Sequence, residues 1–520
     1  APTPNLARVA KEGVVYTHNF SVAGVCSPSR ATLATGLYPN SFGAHNMRTL
    51  KQQAIAKAAG LVDYQVVPPP EVKMVSEIMR ENGYYTTNNS KEDYQFFKSE
   101  LAWDESSGYA HWRNRPNKEM PFFSIFNANV THESNMWSTQ YKREDHDVFP
   151  PPRTAESQWE KLGYKNYQAY KNDTIPLQVP EDLAVEVPPY LPQNEIGENA
   201  MRKLYSNIVR MDRFMGILLQ QLEEDGLLEE TIIVWYSDHG GPLPRQKRLL
   251  YDSGLRVPLI IRYPNKQRAV ERDDRLISFV DYPPTLLSMV GIQPPSYMEG
   301  QAFEGKYKVG TPRSYIHGQA DRFDERVDLI RAVRNKRFKY LKNFYPEKPY
   351  YLPIAYRENM EVMQELLRMR DAGELDENQA LWFRTSKPAE ELFDTETDPH
   401  ELNNLADDPA YAEVLTDLRK ECERWMKAID DKGFINEIEL IQKFYPNGKP
   451  QWSEVPKLTF KGGKITVNAI QPGVRIGYKY SNEKAPHKGW NIYSEPIEEK
   501  ADDTLETVSY THLRAHETLL

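Results

Sequence analysis

Between residues 199 and 225, Met201, Leu204, Ile208, Met211, Met215, Leu218 and Leu222 recur at spacings of three and four. Such spacing puts them on one stripe of a helix. Gly226 follows where a helix end favours left-handed backbone. Residues 231–236 (TIIVWY) form a compact β-branched and aromatic run, the composition of a buried strand. That run enters Ser237-Asp238-His239-Gly240-Gly241. Helix, buried strand and polar loop in succession make one unit of an α/β fold, where reactive side chains gather beyond the carboxyl ends of strands.

The same grammar recurs. Residues 121–126 and 258–263 read as buried strands, the first with Asn127, Asn129, Thr131 and His132 just past its end. Residues 72–82 predict a helix closed by Gly83. The expected fold is α/β: a large mixed, mostly parallel sheet flanked by helices over residues 1–343. A smaller C-terminal α+β subdomain is expected over 344–432, with an amphipathic helix near 410–430. Alternating strands at 457–460, 464–467 and 474–480 predict a small β-module over 433–500. Residues 501–520 are read as an acidic stretch and a non-native tail, because 508–520 (VSYTHLRAHETLL) carries no periodicity.

Charge and cysteine content narrow the function. Lys and Arg total 65 against 74 Asp and Glu, a net charge of −9, which argues against broad binding to nucleic acid or anionic lipid. Two cysteines, Cys26 and Cys422, cannot build a disulfide framework or a zinc–thiolate cluster. No run approaches the roughly 18 apolar residues of a membrane helix.

The most informative segment is Val25-Cys26-Ser27-Pro28-Ser29-Arg30-Ala31-Thr32-Leu33-Ala34-Thr35-Gly36. Cys-x-Pro-Ser-Arg followed by a helix and Thr-Gly resembles the signature of the formylglycine-dependent sulfatases, which have an alkaline-phosphatase-like fold. Other segments resemble that family in the same order. They are Thr3 to Gly13 before the signature, Gly83-Tyr84-Tyr85-Thr86 ending at Lys91, and Ser237-Asp238-His239-Gly240. Lys247 with Tyr251 to Pro258 follows, and then Glu391 to Leu405. The Thr131-His132-Glu133-Ser134 context and the Asn88-Asn89-Ser90-Lys91 form of the second signature resemble the heparan N-sulfatase branch, the N-sulfoglucosamine sulfohydrolases.

The resemblance implies roles. Cys26, oxidised to formylglycine by a maturation enzyme, would be nucleophile and metal ligand. Its hydrated form is a geminal diol: one hydroxyl attacks sulfur and the other expels sulfate as the aldehyde reforms. Asp238 and His239 would be further ligands to one divalent cation, expected to be Ca²⁺, although imidazole is a less usual partner for that ion. Arg30 would hold the diol from one helical turn away, and Lys91 and Lys247 would neutralise sulfate oxygens. His132 would protonate the leaving group. His45 and Arg48, past the signature helix, could line the mouth. His317, Asp321 and Arg322, with Asp324, form a polar cluster that reads either as a sugar contact or as a solvated loop.

The implied substrate is a sulfated glycan, carrying a sulfate ester or the sulfamate of N-sulfoglucosamine. Family habit implies a periplasmic or extracellular location. The family carries two further acidic ligands on a first strand that would precede Ala1, so the chain is expected to be N-terminally truncated and inactive or poorly folded, with a longer parent active. Two other readings stay open: a phosphonate or phosphate ester hydrolase of the same superfamily, and a catalytically dead glycan-binding relative.

Overall fold

The computed structural model describes residues 1–47, 60, 62–137, 141–142, 174–175, 177–469, 473–481, 490–500, 503–510 and 516–519. They fall into two compact units, neither continuous in sequence. One comprises Ala1–Ser29, Ala128–Phe279 and Thr311–Ala428. Its first sheet runs in the order Ile233–Tyr236, Leu259–Arg262, Val14–Phe20, Glu271–Ser278. Val14–Phe20 is antiparallel to Leu259–Arg262 and parallel to Glu271–Ser278. The strands predicted at 231–236 and 258–263 are therefore neighbours, and the polar loop after Tyr236 leaves the sheet from its end.

The stripe helix spans Glu195–Glu224 and begins earlier than its apolar spacing predicts. The reason is a cap: Asn194 Oδ1 accepts the Ile196 and Gly197 amides at 3.1 and 3.3 Å. Met201, Met215, Leu218 and Leu222 are buried as expected, but so is Asp212. Its carboxylate accepts the amides of Asn5 and Leu6 at 3.2 and 2.8 Å, capping the first turn of the helix Pro4–Lys11.

A second sheet of this unit is an antiparallel meander of Ile316–Phe323, Arg326–Arg334, Phe338–Asn343 and Glu390–Asp394. The pairing of Phe338–Asn343 with Glu390–Asp394 carries this sheet across the 343/344 division drawn from composition. The helix Ala412–Ala428 buries Leu415, Leu418 and Cys422 against Val333, Tyr340 and Leu392, so Cys422 is a packing residue.

The meander also holds a buried acid. Glu391 has its carboxyl pushed up to about 8, first by burial and also by Glu401, while Asn343 and Arg245 pull it down. A carboxyl with a folded-state pKa above its unfolded value of 4.5 stabilises fully below 4.5 and loses that contribution as pH rises through 8. The loss at pH 9 is on the order of 4 kcal/mol. Glu391→Gln should therefore leave the melting temperature near wild type at pH 5 and raise it by several degrees at pH 9. Parallel melting curves for the two proteins across that range would refute the assignment.

The other unit comprises Arg30–Asn127, Val280–Gly310 and Ile429–Leu520. A parallel sheet sets Tyr85–Asn89 between Glu105–Ser106 and Phe122–Phe126. The helix Glu437–Phe444 packs Leu440, Ile441 and Phe444 into a core with Ala31, Phe42, Tyr64 and Phe96. Residues expected to open a separate module thus belong to this unit's core. Beyond them, Lys457–Lys461, Lys464–Asn468 and Ile497–Glu498 form one small sheet. Asn491–Ile492, Arg475–Tyr480, Leu505–Tyr510 and His516–Leu519 form another.

The last two strands correct the reading of 508–520 as outside the fold. Val508 pairs with Gly477 and is 0% exposed, in a cluster with Leu101, Trp490 and Tyr510. Cross-strand pairing supplies order that single-segment periodicity does not report. Among the described residues, no helix is long and apolar enough to cross a membrane.

Candidate active site

The strand Val14–Phe20 runs through a short turn into the helix Cys26–Thr35. Ser21 Oγ donates to the Ala23 carbonyl at 2.7 Å, and Ser29 Oγ donates to the Asp238 carbonyl. The signature serine thereby ties its helix to the loop after Ile233–Tyr236. Gly24 lets a second segment approach. A Cβ there would lie 2.5 Å from the Leu249 carbonyl oxygen, and the Gly24 carbonyl accepts the Arg248 amide at 2.6 Å. This close contact delivers Lys247, whose Nζ lies 3.6 Å from Cys26 Sγ.

The loop 237–241 is pinned from the other side. The amides of Gly240 and Gly241 donate to the carbonyls of Gly254 and Ser253 at 2.8 and 3.0 Å. A Cβ at Gly240 would fall 2.1 Å from the Ser253 oxygen. His239 Nδ1 donates to the Gly240 carbonyl at 2.9 Å, which leaves the neutral ring's lone pair on Nε2. Nε2 faces Cys26 Sγ at 3.3 Å and stands 3.7 Å from Asp238 Oδ1. Among the described residues these three form the only cluster whose donor atoms lie close enough for one metal ion, all within 4.8 Å. A carboxylate, an oriented imidazole lone pair and the side chain of residue 26 would suit a divalent cation.

His132 follows the short helical turn Asn129–Thr131. Its Nδ1 accepts the Ser134 amide at 3.3 Å, so a neutral ring carries its hydrogen on Nε2. The ring stands edge-on to Tyr356, which packs edge-on to Trp137. Next to it, the Glu133 side chain is 0% exposed; it accepts a hydrogen bond from Arg248 Nη1 at 2.8 Å and forms an ion pair with Lys247 Nζ at 3.4 Å. Burial alone would raise its pKa, but the Arg248 and Lys247 charges outweigh burial and hold it near 2. Arg248 also donates through Nε and Nη2 to Asp324 Oδ2 at 3.1 and 2.9 Å.

The other unit holds Arg30 and Lys91. Arg30 donates to the backbone carbonyls of Lys91 and Glu92 at 2.7 and 2.9 Å, and to Asn127 Oδ1 at 2.7 Å. Asn127 Nδ2 in turn donates to Asn88 Oδ1 at 3.1 Å. The signature arginine therefore orders the turn carrying Lys91, at the carboxyl ends of Tyr85–Asn89 and Phe122–Phe126.

The outlying candidates fare differently. His45 is buried in that unit, and Arg48 lies outside the described residues. His317, Asp321, Arg322 and Asp324 are all buried, which overturns the solvated-loop reading of the cluster. His317 stacks on Trp425 and donates from Nε2 to Glu421 at 2.8 Å, and burial drives its pKa down to about 4. Asp321 is held bidentately by Arg331 at 3.0 and 3.2 Å. Arg322 is turned to the Asp324 carbonyl at 2.5 Å.

Of the three neighbouring basic residues, Lys247 faces Cys26. Arg245 instead lies over the Tyr251 ring and bonds the carbonyls of His400 and Glu401. The charged group that sequence reasoning gave no role is Glu133. Its one signal was adjacency to His132, and its partners come from 115 residues away.

Comparison with known proteins accords with this geometry. The family model "Sulfatase" matches residues 1–292, and "N-sulphoglucosamine sulphohydrolase, C-terminal" matches residues 245–377. An ulvan-active sulfatase of Formosa agariphila is 50% identical over 98% of this chain and 85% of its own length. The human N-sulphoglucosamine sulphohydrolase is 23% identical over 87% and 91%. The solved structure of BT4656 in complex with its substrate D-glucosamine-2-N,6-O-disulfate superposes with a TM-score of 0.53 at 18% identity, covering 84% of this chain and 94% of that one. Its architecture is that of sulfatases of alkaline-phosphatase-like fold, and with a family match over more than half its length the chain belongs to the sulfatase family of sulfate ester and sulfamate hydrolases.

Proposed function

We propose that this sulfatase removes sulfate esters from an ulvan-type polysaccharide, using formylglycine at position 26 beside a divalent cation, Ca²⁺. The 50% identity to an ulvan-active sulfatase over nearly the whole chain carries the substrate assignment. The convergence of Cys26, Asp238, His239 and Lys247 supports the chemistry. A diol at residue 26 would supply the nucleophile and an exit route for sulfate, and a cation held by Asp238, His239 and residue 26 would make that nucleophile more acidic.

The remaining residues bind and move protons. Lys247 presents its ammonium to a non-bridging sulfate oxygen as charge builds there. Lys91 is assigned the same task from the family signature, and Arg30 sets the backbone that bears it. His132, as an imidazolium, gives its Nε2 proton to the departing sugar oxygen and is left as a neutral ring. Maturation requires a formylglycine-generating enzyme in the producing cell. A polysaccharide substrate places the work in the periplasm or outside the cell.

A second reading, sulfamate cleavage on N-sulfoglucosamine, draws support from the C-terminal family match at residues 245–377. Protein matured in a competent host should be assayed by ion chromatography of released sulfate. Release from ulvan should exceed release from heparan sulfate by at least about tenfold at equal sulfate concentration. Faster release from heparan sulfate or free N-sulfoglucosamine overturns the ulvan assignment in favour of the sulfamate reading.

A further inference from the structure

We infer that Glu133 is a positioning residue for the sulfate-binding lysine, acting on the reaction only through Lys247. The inference rests on the reading of Lys247 given above. Lysine carries a compact charge on a flexible four-carbon arm, so aiming it at one point needs an external constraint. Here the Lys247 side chain is 3% exposed and its Nζ lies between two groups: Cys26 Sγ at 3.6 Å and Glu133 Oε2 at 3.4 Å.

Glu133 is itself fixed. Its other oxygen receives Arg248 Nη1 at 2.8 Å, and Arg248 is locked to Asp324 by two further bonds. The chain of contacts runs Asp324, Arg248, Glu133, Lys247, Cys26, with each charge meeting its opposite until the thiol position is reached. The low pKa of Glu133 keeps the carboxylate charged across any working pH. Because the Glu133 carboxylate is shared with Arg248, it can hold the Lys247 arm without being given over to it entirely.

A double-mutant cycle tests this. Glu133→Gln, Lys247→Ala and the double variant are compared with wild type for kcat and KM of sulfate release from ulvan, with circular dichroism melts for each. Glu133→Gln should lower kcat by about 10- to 100-fold in a folded protein. In the Lys247→Ala background the same change should cost less than about threefold. Where the Lys247→Ala rate falls below detection, the cycle is read in the affinity for inorganic sulfate by titration calorimetry, with the same non-additivity expected.

Glu133→Asp keeps the charge on a shorter arm and should recover at least about threefold over Glu133→Gln; it also serves if Glu133→Gln does not fold. Losses that multiply in the double variant, a folded Glu133→Gln with wild-type kcat, or equal rates for the Asp and Gln variants each overturn the inference. Wild-type turnover in Lys247→Ala overturns the reading of Lys247 beneath it.

Discussion

Replacing Cys26 with alanine lowers sulfate release by about 10⁴-fold or more, with the fold retained. The rate loss follows from removing the nucleophile and its exit route in one change. Neither water nor a neighbouring side chain can supply both, and a contribution of this size is typical of an essential covalent nucleophile. The fold is retained because the change deletes a single buried sulfur, a loss of about 1–2 kcal/mol. The helix Cys26–Thr35 stays anchored through Ser29 and Ser21. Serine in place of Cys26 should be nearly as inactive, since a hydroxyl can attack once but has no second oxygen with which to expel sulfate. Peptide mass spectrometry of the wild-type chain from a maturing host should find residue 26 with its CH₂SH group replaced by an aldehyde or its hydrate. An unmodified thiol accompanied by full turnover would remove the proposed chemistry.

Local signals carried much of this site, and their limits are physical. The stripe from Met201 to Leu222, the strand before Ser237 and the Cys-x-Pro-Ser-Arg run are each short-range patterns, and the backbone follows them closely. What they could not distinguish was which of Arg245, Lys247 and Arg248 serves the reaction. That choice is made by Gly24, more than 220 residues earlier, where the missing Cβ admits the Arg248–Leu249 backbone and turns Lys247 toward the thiol. His317 shows the converse. A histidine in a polar run looks exposed in sequence, but its environment is set by Trp425 and Glu421 from a distant helix. Likewise the strand Leu505–Tyr510 has little pattern alone and gains its place from Arg475–Tyr480. Contacts that close long loops leave no local periodicity, and the buried ion pairs at this site are all of that kind.

Arg248 offers the sharpest test of how the buried charges stand. Arg248→Met should destabilise the chain by about 3–5 kcal/mol, because it takes the Arg248 bonds from both Glu133 and Asp324 and leaves two buried carboxylates with less counter-charge, Glu133 keeping its longer contact to Lys247. Both side chains are 0% exposed, and together they form four hydrogen bonds or ion pairs of 2.8–3.4 Å with Arg248 and Lys247. The burial penalty on Arg248 is outweighed by those two anions, which raise its pKa above the ordinary value. Removing the cation therefore exposes the desolvation cost that the pairing had offset. The prediction separates pairing from packing, since methionine fills most of the arginine stem's volume. If packing were the whole contribution, neutralising the acids would bring no benefit. If pairing dominates, adding Glu133→Gln and Asp324→Asn to Arg248→Met should recover most of the loss, even though more native groups have been changed. Urea denaturation of wild type, the single variant and the triple variant reads this directly as a midpoint that falls and then rises. A midpoint that falls further in the triple variant would show that the hydrogen-bond geometry, and not the balance of charge, holds this part of the site together.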